Sequence, residues 1–327
     1  MLKFIWFFCV CTFCLYAEVD FDCIVVGTSP TSMFEAIYQT CSGKKVLVVE
    51  KAPECGGAWK SINICGIQHA DMGCHEFGNA KEVKDFFETF AGCKLVHNAP
   101  IKLESKGGNW GFYPSGGCYE LIHNLELLMK KLGTVLLLNS KLETVFLDTE
   151  RKVAEVKING NRLTTSKIIV TSGAEIHFEN PEYRGIQPTI TKYPHLYLLI
   201  SDPTPSNFTY TNYSSEGASR AMNVSRFVGL EGSGMQLIAI QLHNEKYLAC
   251  GERFLNDLKK QNLIDPGAKI IEVGHYIYEQ SACHGQLGIK NNQLFEFIST
   301  GHIGQINSFL PKWKQVMRPW KEVMASQ

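Results

Sequence analysis

Apolar residues run without a polar break through 23–27 and again through most of 45–50, too short for helices and suited to strands buried on both faces. Between them, Met33, Phe34, Ala36 and Ile37 recur at helical spacing over 31–40, and Gly43 follows as a C-terminal stop. Strand, helix and parallel strand in so short a stretch predict a βαβ unit. Further along, Val83, Phe86, Phe87, Phe90 and Ala91 predict an amphipathic helix over 81–93. The glycine-rich passage GGNWGFYPSGG predicts a loop. A second helix is expected over 119–132, with leucine or isoleucine at 121, 122, 125, 127, 128 and 132.

Strand patterns follow at 134–138, 142–148 and 152–157, then a turn at Asn159-Gly160, a short strand at 161–164 and a buried run at 167–171. The stretch 175–290 is mixed: strands at 196–201 and 237–241, a helix over 247–261, and a strand at 269–278 after Pro266-Gly267. Phe309, Leu310, Trp313, Val316 and Met317 predict a tail helix. No repeat or low-complexity linker separates these pieces, which favours a second region inserted between segments of the first.

The turn after the first strand carries candidate chemistry. A dinucleotide turn favours glycine for its geometry, for close approach of backbone to pyrophosphate, and for helix packing. Gly27 holds the first of these positions, Ser29 the second and Ser32 the third. Pro30 opens the helix but lacks an N–H that could face a phosphate, and Thr31 lies between. Glu50 closes the second strand, placed where an acid accepts from ribose hydroxyls. These residues point to dinucleotide binding; the alternative is a tight βα turn and a solvated strand end.

Glu50-Lys51 followed by Gly56-Gly57-Ala58-Trp59 resembles the flavin-binding superfamily of amine oxidases, protoporphyrinogen oxidase, phytoene desaturases, UDP-galactopyranose mutase and prenylcysteine oxidase. GTSPTS with GGAWKS is also similar to the Rab escort and GDP-dissociation-inhibitor proteins, non-catalytic relatives. Asp71-Met72-Gly73-Cys74-His75 resembles the segment that runs beside the flavin. Tyr113-Pro114-Ser115-Gly116-Gly117 resembles the family's entry into a helix. Leu142 matches the residue near adenine, and Gly173 ends the strand that re-enters the nucleotide domain. Gly301-His302-Ile303-Gly304 with Asn307 resembles the final flavin motif, with His302 where arginine or glutamate is common.

The resemblance implies FAD as cofactor and an α/β fold: a Rossmann-like, three-layer FAD-binding domain with a parallel sheet, and an interleaved mixed α+β substrate subdomain. Segments 20–78, 134–175 and 291–327 would form the FAD domain, and 79–133 and 176–290 the substrate region. It implies an FAD-dependent oxidoreductase acting on a small amine or other activated C–H bond, or a non-catalytic flavin-fold binding protein. The flavin carries such redox chemistry, so no fixed nucleophile and base are needed. Trp59, His75, Tyr113 and Tyr278 are the candidate pocket residues, the last sharing a strand face with Tyr276.

The resemblance implies a small-molecule substrate, and charge adds no sign of a nucleic-acid partner. Thirty-two basic and 32 acidic residues give no net field toward nucleic acid. No G-x-S-x-G occurs, and beyond residue 17 no CxxC pair or His/Cys cluster has metal-site spacing. Lys3 precedes an apolar run from Phe4 to Tyr16, short of the ~20 residues that span a membrane. We read 1–17 as a secretory signal peptide, with a retained membrane anchor as the alternative. Without it nine of the 12 cysteines remain, Cys65 and Cys74 being a candidate pair. Asn207, Asn212 and Asn223 begin N-x-Ser/Thr triplets, as in a glycosylated secreted protein.

Overall fold

The computed structural model describes residues 18–72, 84, 87–97, 112–171, 173–204, 208, 210–282 and 292–298. The first strand, β1 (Cys23–Val26), is followed by helix α1 (Pro30–Cys41) and β2 (Val46–Val49). A hairpin of β3 (Ser61–Ile64) and β4 (Ile67–Asp71) comes next, then the pair β5 (Leu95–His97) and β6 (Phe112–Pro114). Helix α2 (Gly117–Lys131) leads to β7 (Val135–Leu137). A meander follows: β8 (Leu142–Asp148), β9 (Val153–Ile158) and β10 (Asn161–Thr165). After β11 (Ile168–Thr171) and the short β12 (His177–Phe178) come β13 (Thr189–Ser201), β14 (Tyr210–Ser215), β15 (Ala218–Asn223) and β16 (Met235–Leu242). Helix α3 (Gly251–Lys260), β17 (Lys269–Ala282) and β18 (Phe295–Ile298) complete the order.

Five strands form a parallel sheet in the order β18-β11-β1-β2-β7. Strict alternation sends its side chains to two cores. Cys23, Val25, Val46, Val48 and Ile169 pack on the side of α1 and α2. Ile24, Val26, Leu47, Val49, Ile168 and Val170 meet the meander, including Val145, Leu147, Val156 and Ile158. Burial on both faces is why the central strands β1 and β2 lack polar positions. The outcome is three layers: helices, parallel sheet, antiparallel meander. The chain leaves β1 toward β2 and β7, then crosses to β11 and β18 on the other side, so the strand order reverses beside β1.

A second five-stranded sheet, β14-β15-β16-β13-β17, is antiparallel throughout. Leu196, Leu198, Ile200, Ile238 and Ile240 pack under Phe254, Leu255 and Leu258 of α3. The opposite face, with Tyr197, Leu199, Met222, Leu237 and Ala239, joins the core of α1 and α2. The two sheets are therefore held by one continuous apolar cluster rather than by a linker.

Several elements differ from the sequence reading. Phe112–Pro114 is a strand within the passage expected to be a loop, because Tyr113 is fully buried and outweighs its glycine neighbours. The β3–β4 hairpin was not anticipated; its turn uses Cys65 and Gly66 in left-handed conformation. The helix expected from Tyr247 starts at Gly251, because a single helical turn at Glu245–Tyr247, capped by Asn244, precedes it. Of the helix expected at 81–93, residues 84 and 87–89 are helical and the rest of its first half lies outside the described residues. The leader at 1–17 and the tail helix also lie outside them. Among the described residues, no helix is long and apolar enough to cross a membrane.

Two further readings meet the structure directly. Cys65 is not bonded to another described cysteine, and Cys74 lies outside the described residues. Asn223 is 3% exposed and its amide donates to Gln236 Oε1 at 2.7 Å. A glycan cannot be carried on that side chain in the folded protein. Asn207 lies outside the described residues.

Candidate cofactor site

Ligands of open α/β sheets bind outside the carboxyl ends of the strands, where the strand order reverses. Here that point lies beside the C-terminal end of β1, at the turn 27–29. Gly27 has φ +98°, a region closed to residues with a Cβ, and its N–H donates to the Val49 carbonyl at 2.8 Å. Thr28 turns inward and is buried. Ser29 is the N-cap of α1: its Oγ accepts from Ser32 N at 3.3 Å and lies 2.8 Å from Ser32 Oγ. Pro30, Thr31 and Ser32 form the buried first turn of the helix. The sequence thus explains its own serine. Where glycine would leave the helix end bare, Ser29 caps it.

The double glycine comes to the same turn. Gly56 N–H donates to the Thr28 carbonyl at 3.1 Å and approaches Thr28 Oγ1 at 3.2 Å. Gly56 (φ +115°) and Gly57 (φ +54°) carry the chain past it. A Cβ on Gly57 would sit 3.8 Å from Ser29 N, over the turn. Gly57 is exposed, and Gly27, Ser29, Ala58 and Trp59 are half-buried, so the place where such sheets hold a ligand in a crevice is open to solvent here. Trp59 ends the short turn Gly57–Trp59 and packs on the α1–α2 core.

Glu50 stands at the end of β2 as expected, but its carboxylate is engaged within the protein. Oε2 accepts from Thr28 N–H at 3.0 Å and Thr28 O–H at 2.7 Å, and Oε1 accepts from Ala52 N–H at 2.8 Å. One acceptor position on Oε1 remains for a hydroxyl. Lys51 is exposed beside it. Leu142 is 3% exposed and sits in the core between sheet and meander, not at the crevice. Gly173 is half-buried just beyond β11. His75, Gly301, His302 and Gly304 lie outside the described residues.

Tyr113 is not brought to the crevice. It is fully buried, 4.4 Å from the Phe227 ring, and donates its O–H to Asp71 Oδ2 at 2.6 Å. Asp71 Oδ1 accepts from Cys118 N at 2.8 Å, so this aspartate caps α2 from another strand. Its backbone carbonyl accepts from Tyr197 O–H at 2.8 Å, tying the second sheet to the β3–β4 hairpin. Gly117 allows the approach, since a Cβ there would lie 2.7 Å from Asp71 Oδ1. Burial pushes the Asp71 carboxyl up to about 6, against the bonds from Tyr113 and Cys118 that favour its charge. The same burial raises the Tyr113 and Cys118 protons well above their usual values.

Tyr278 is buried on the second sheet and stacks on Tyr193 at 5.8 Å. Burial raises its hydroxyl too. Thr28 was not among the candidate residues and is signalled only by standing between two small-residue positions; Asp71 was noted only as the start of the segment resembling the one beside the flavin, without a role of its own.

No protein-family model matches this chain, and neither does any curated protein sequence. Solved structures do. A protein provisionally named protoporphyrinogen oxidase from Exiguobacterium sp. 255-15 superposes with TM-score 0.61 at 10% identity, over 93% of this chain and 98% of that one. The chain shares the Rossmann-like α/β fold of that structure. An oxidoreductase from Methanosarcina mazei gives TM-score 0.59 at 12% identity, over 90% and 99% of the two chains. A Rab GDI from Plasmodium falciparum gives 0.54 at 12%, over 91% and 98%. The same fold is thus seen in proteins named as oxidoreductases and in a GDI.

Proposed function

We propose that this protein is an FAD-dependent oxidoreductase acting on a small molecule with an activated C–H bond, a small amine among the candidates. The supporting observation is the turn 27–29: a left-handed glycine and a capped helix N-terminus at the strand-order reversal, with Gly57 leaving its surface open. These residues fit a dinucleotide. Gly27, Ser29, Thr31 and Gly57 would hold the pyrophosphate, and Glu50 Oε1 would accept from the ribose. Bound flavin supplies hydride acceptance, which side chains cannot. The chain's own part is to bind, orient and keep water out; Trp59 would form one wall of the crevice.

A second reading has its own observation. Ser29 Oγ is bonded to Ser32 and three of the Glu50 acceptor positions are taken, so the protein satisfies these groups without a ligand. That suits a flavin-fold binding protein without catalysis. The two are separated by purifying the protein, measuring released FAD, and adding amines, thioethers or porphyrinogens anaerobically. Bleaching of the visible flavin band by one class supports the enzyme. A coloured protein reduced by none of them supports the binding role. The secretory leader belongs to the proposal as well, and mass spectrometry of the secreted N-terminus tests it.

A further inference from the structure

His195 is 2% exposed, and its Nε2 is enclosed without a hydrogen-bond partner among the described residues. Its Nδ1 lies 2.9 Å from the Tyr193 carbonyl. A carbonyl only accepts, so Nδ1 carries the proton and Nε2 presents a lone pair. Burial and the nearby Arg220 charge push this imidazole down to about 4, which keeps it neutral at physiological pH. An enclosed acceptor without a donor is destabilising, and native proteins seldom keep one without a role.

The register of the second sheet shows what surrounds it. Arg220 on β15 faces Gln241 on β16, Gln241 faces His195 on β13, and His195 faces Tyr276 on β17. Directly opposed residues share a face, so these four form one row across four strands. The next row contains Met222, Ala239 and Tyr197, the last bonded to Asp71 of the nucleotide-binding half. Two residues the other way, Tyr193 stacks on Tyr278. Arg220 is exposed and, among the described residues, is in no salt bridge. Gln241 and Tyr276, on either side of His195, are half-buried.

We propose that this row is the substrate-recognition face, taking an anion with an aromatic body and an O–H or N–H donor: the anion at Arg220, the donor on His195 Nε2. The inference rests on the oxidoreductase reading and narrows it. Arg220 and the lone pair are two strands apart, about 10 Å between backbones. Long side chains can close that span around one ring. Because Nε2 is enclosed, binding requires the half-buried Gln241 or Tyr276 beside it to turn aside. A cationic amine is disfavoured by the Arg220 charge, so neutral donors on anionic molecules are selected.

The test uses full-length protein with ¹⁵N-labelled histidine and three probes: 4-hydroxybenzoate, benzoate and tyramine. The His195 signals are assigned by their loss in H195Q. We expect 4-hydroxybenzoate to shift the Nε2 resonance, benzoate to bind without shifting it, and tyramine to bind weakest. R220Q should weaken 4-hydroxybenzoate about tenfold, as expected for loss of a charge-assisted bond. H195F should erase the preference for 4-hydroxybenzoate over benzoate; R220Q, at an exposed position, guards against a misfolded H195F. Absence of an Nε2 shift with every probe, equal binding of 4-hydroxybenzoate to R220Q and wild type, or preference for tyramine overturns the proposal. FAD content is read separately. A protein that takes up FAD without an Nε2 shift sinks this inference alone, whereas a colourless protein that shows the shift sinks the flavin reading alone.

Discussion

Replacing Asp71 with asparagine should leave the fold intact and stabilise it at neutral pH. The carboxyl is fully buried, and its proton is held up to about 6 from an ordinary 3.8. An acid whose folded value is raised contributes stability that is fully present below 3.8 and lost as the pH rises through about 6. The displacement corresponds to about 3 kcal/mol, of which about 2–3 kcal/mol falls between pH 4 and 7. Asparagine keeps an acceptor for the Cys118 N–H. Its amide can donate to Tyr113 oxygen, whose own proton then turns to Cys118 Sγ, 3.1 Å away. Urea unfolding of wild type and D71N at pH 4, 5, 6 and 7 gives the stability difference directly, and effects of other titrating groups cancel. It should be near zero at pH 4 and favour D71N by about 2–3 kcal/mol at pH 7. A D71N that is less stable than wild type by the same amount at every pH would refute the reasoning, because the carboxylate would then be a well-paired ion.

His195 acts with the opposite sign in the same window: its folded value is lowered from 6.5 to about 4, so its contribution is present above 6.5 and lost as the pH falls toward 4. H195Q should therefore lose less stability than wild type on acidification from pH 7 to 4, by about 2–3 kcal/mol in urea titrations. G117A forces a Cβ to 2.7 Å from Asp71 Oδ1 at φ +67°, whereas G133A at φ +83° meets nothing within 4 Å. Denaturation should show G117A costing at least about 2 kcal/mol and G133A about 1 kcal/mol. T28V removes a buried hydroxyl that donates to Glu50 at 2.7 Å and should cost about 2 kcal/mol, with T28S near wild type by the same assay. Peptide mapping of protein from a secreting eukaryotic host should find Asn223 unmodified, since its side chain is buried on Gln236.

The strands β1, β2 and β11 were legible because they are buried on both faces and show as apolar runs, with Gly27 and Gly43 marking the βα and αβ turns, whereas the edge strand β18, interrupted by Glu296, was not anticipated. The meander was legible through Asn159-Gly160, whose left-handed pair fits a two-residue hairpin turn. The second sheet was seen only in part. Tyr193, His195 and Tyr197 alternate into a face that is polar at one end and apolar at the other, which blurs the strand pattern before Leu196. Tyr113 looked like a pocket wall because an aromatic beside glycines reads as exposed. Its bond to Asp71 depends on a contact 42 residues away in sequence, which no local pattern encodes. Ser29 stands at a position where a dinucleotide turn favours glycine; the structure makes it the cap of α1.

The central claim is that the turn 27–29 receives the pyrophosphate of FAD, and uptake of FAD by wild type and G57D tests it most directly. Aspartate tolerates the left-handed conformation of Gly57, so the fold should survive, yet it sets a carboxylate over Ser29 where phosphate would lie. Wild type should retain or take up one FAD per chain, read by its visible band and by release on denaturation. G57D should keep the wild-type circular dichroism and bind none. Colourless wild-type protein that fails to take up added FAD, or a G57D that binds FAD as well as wild type does, would contradict the account.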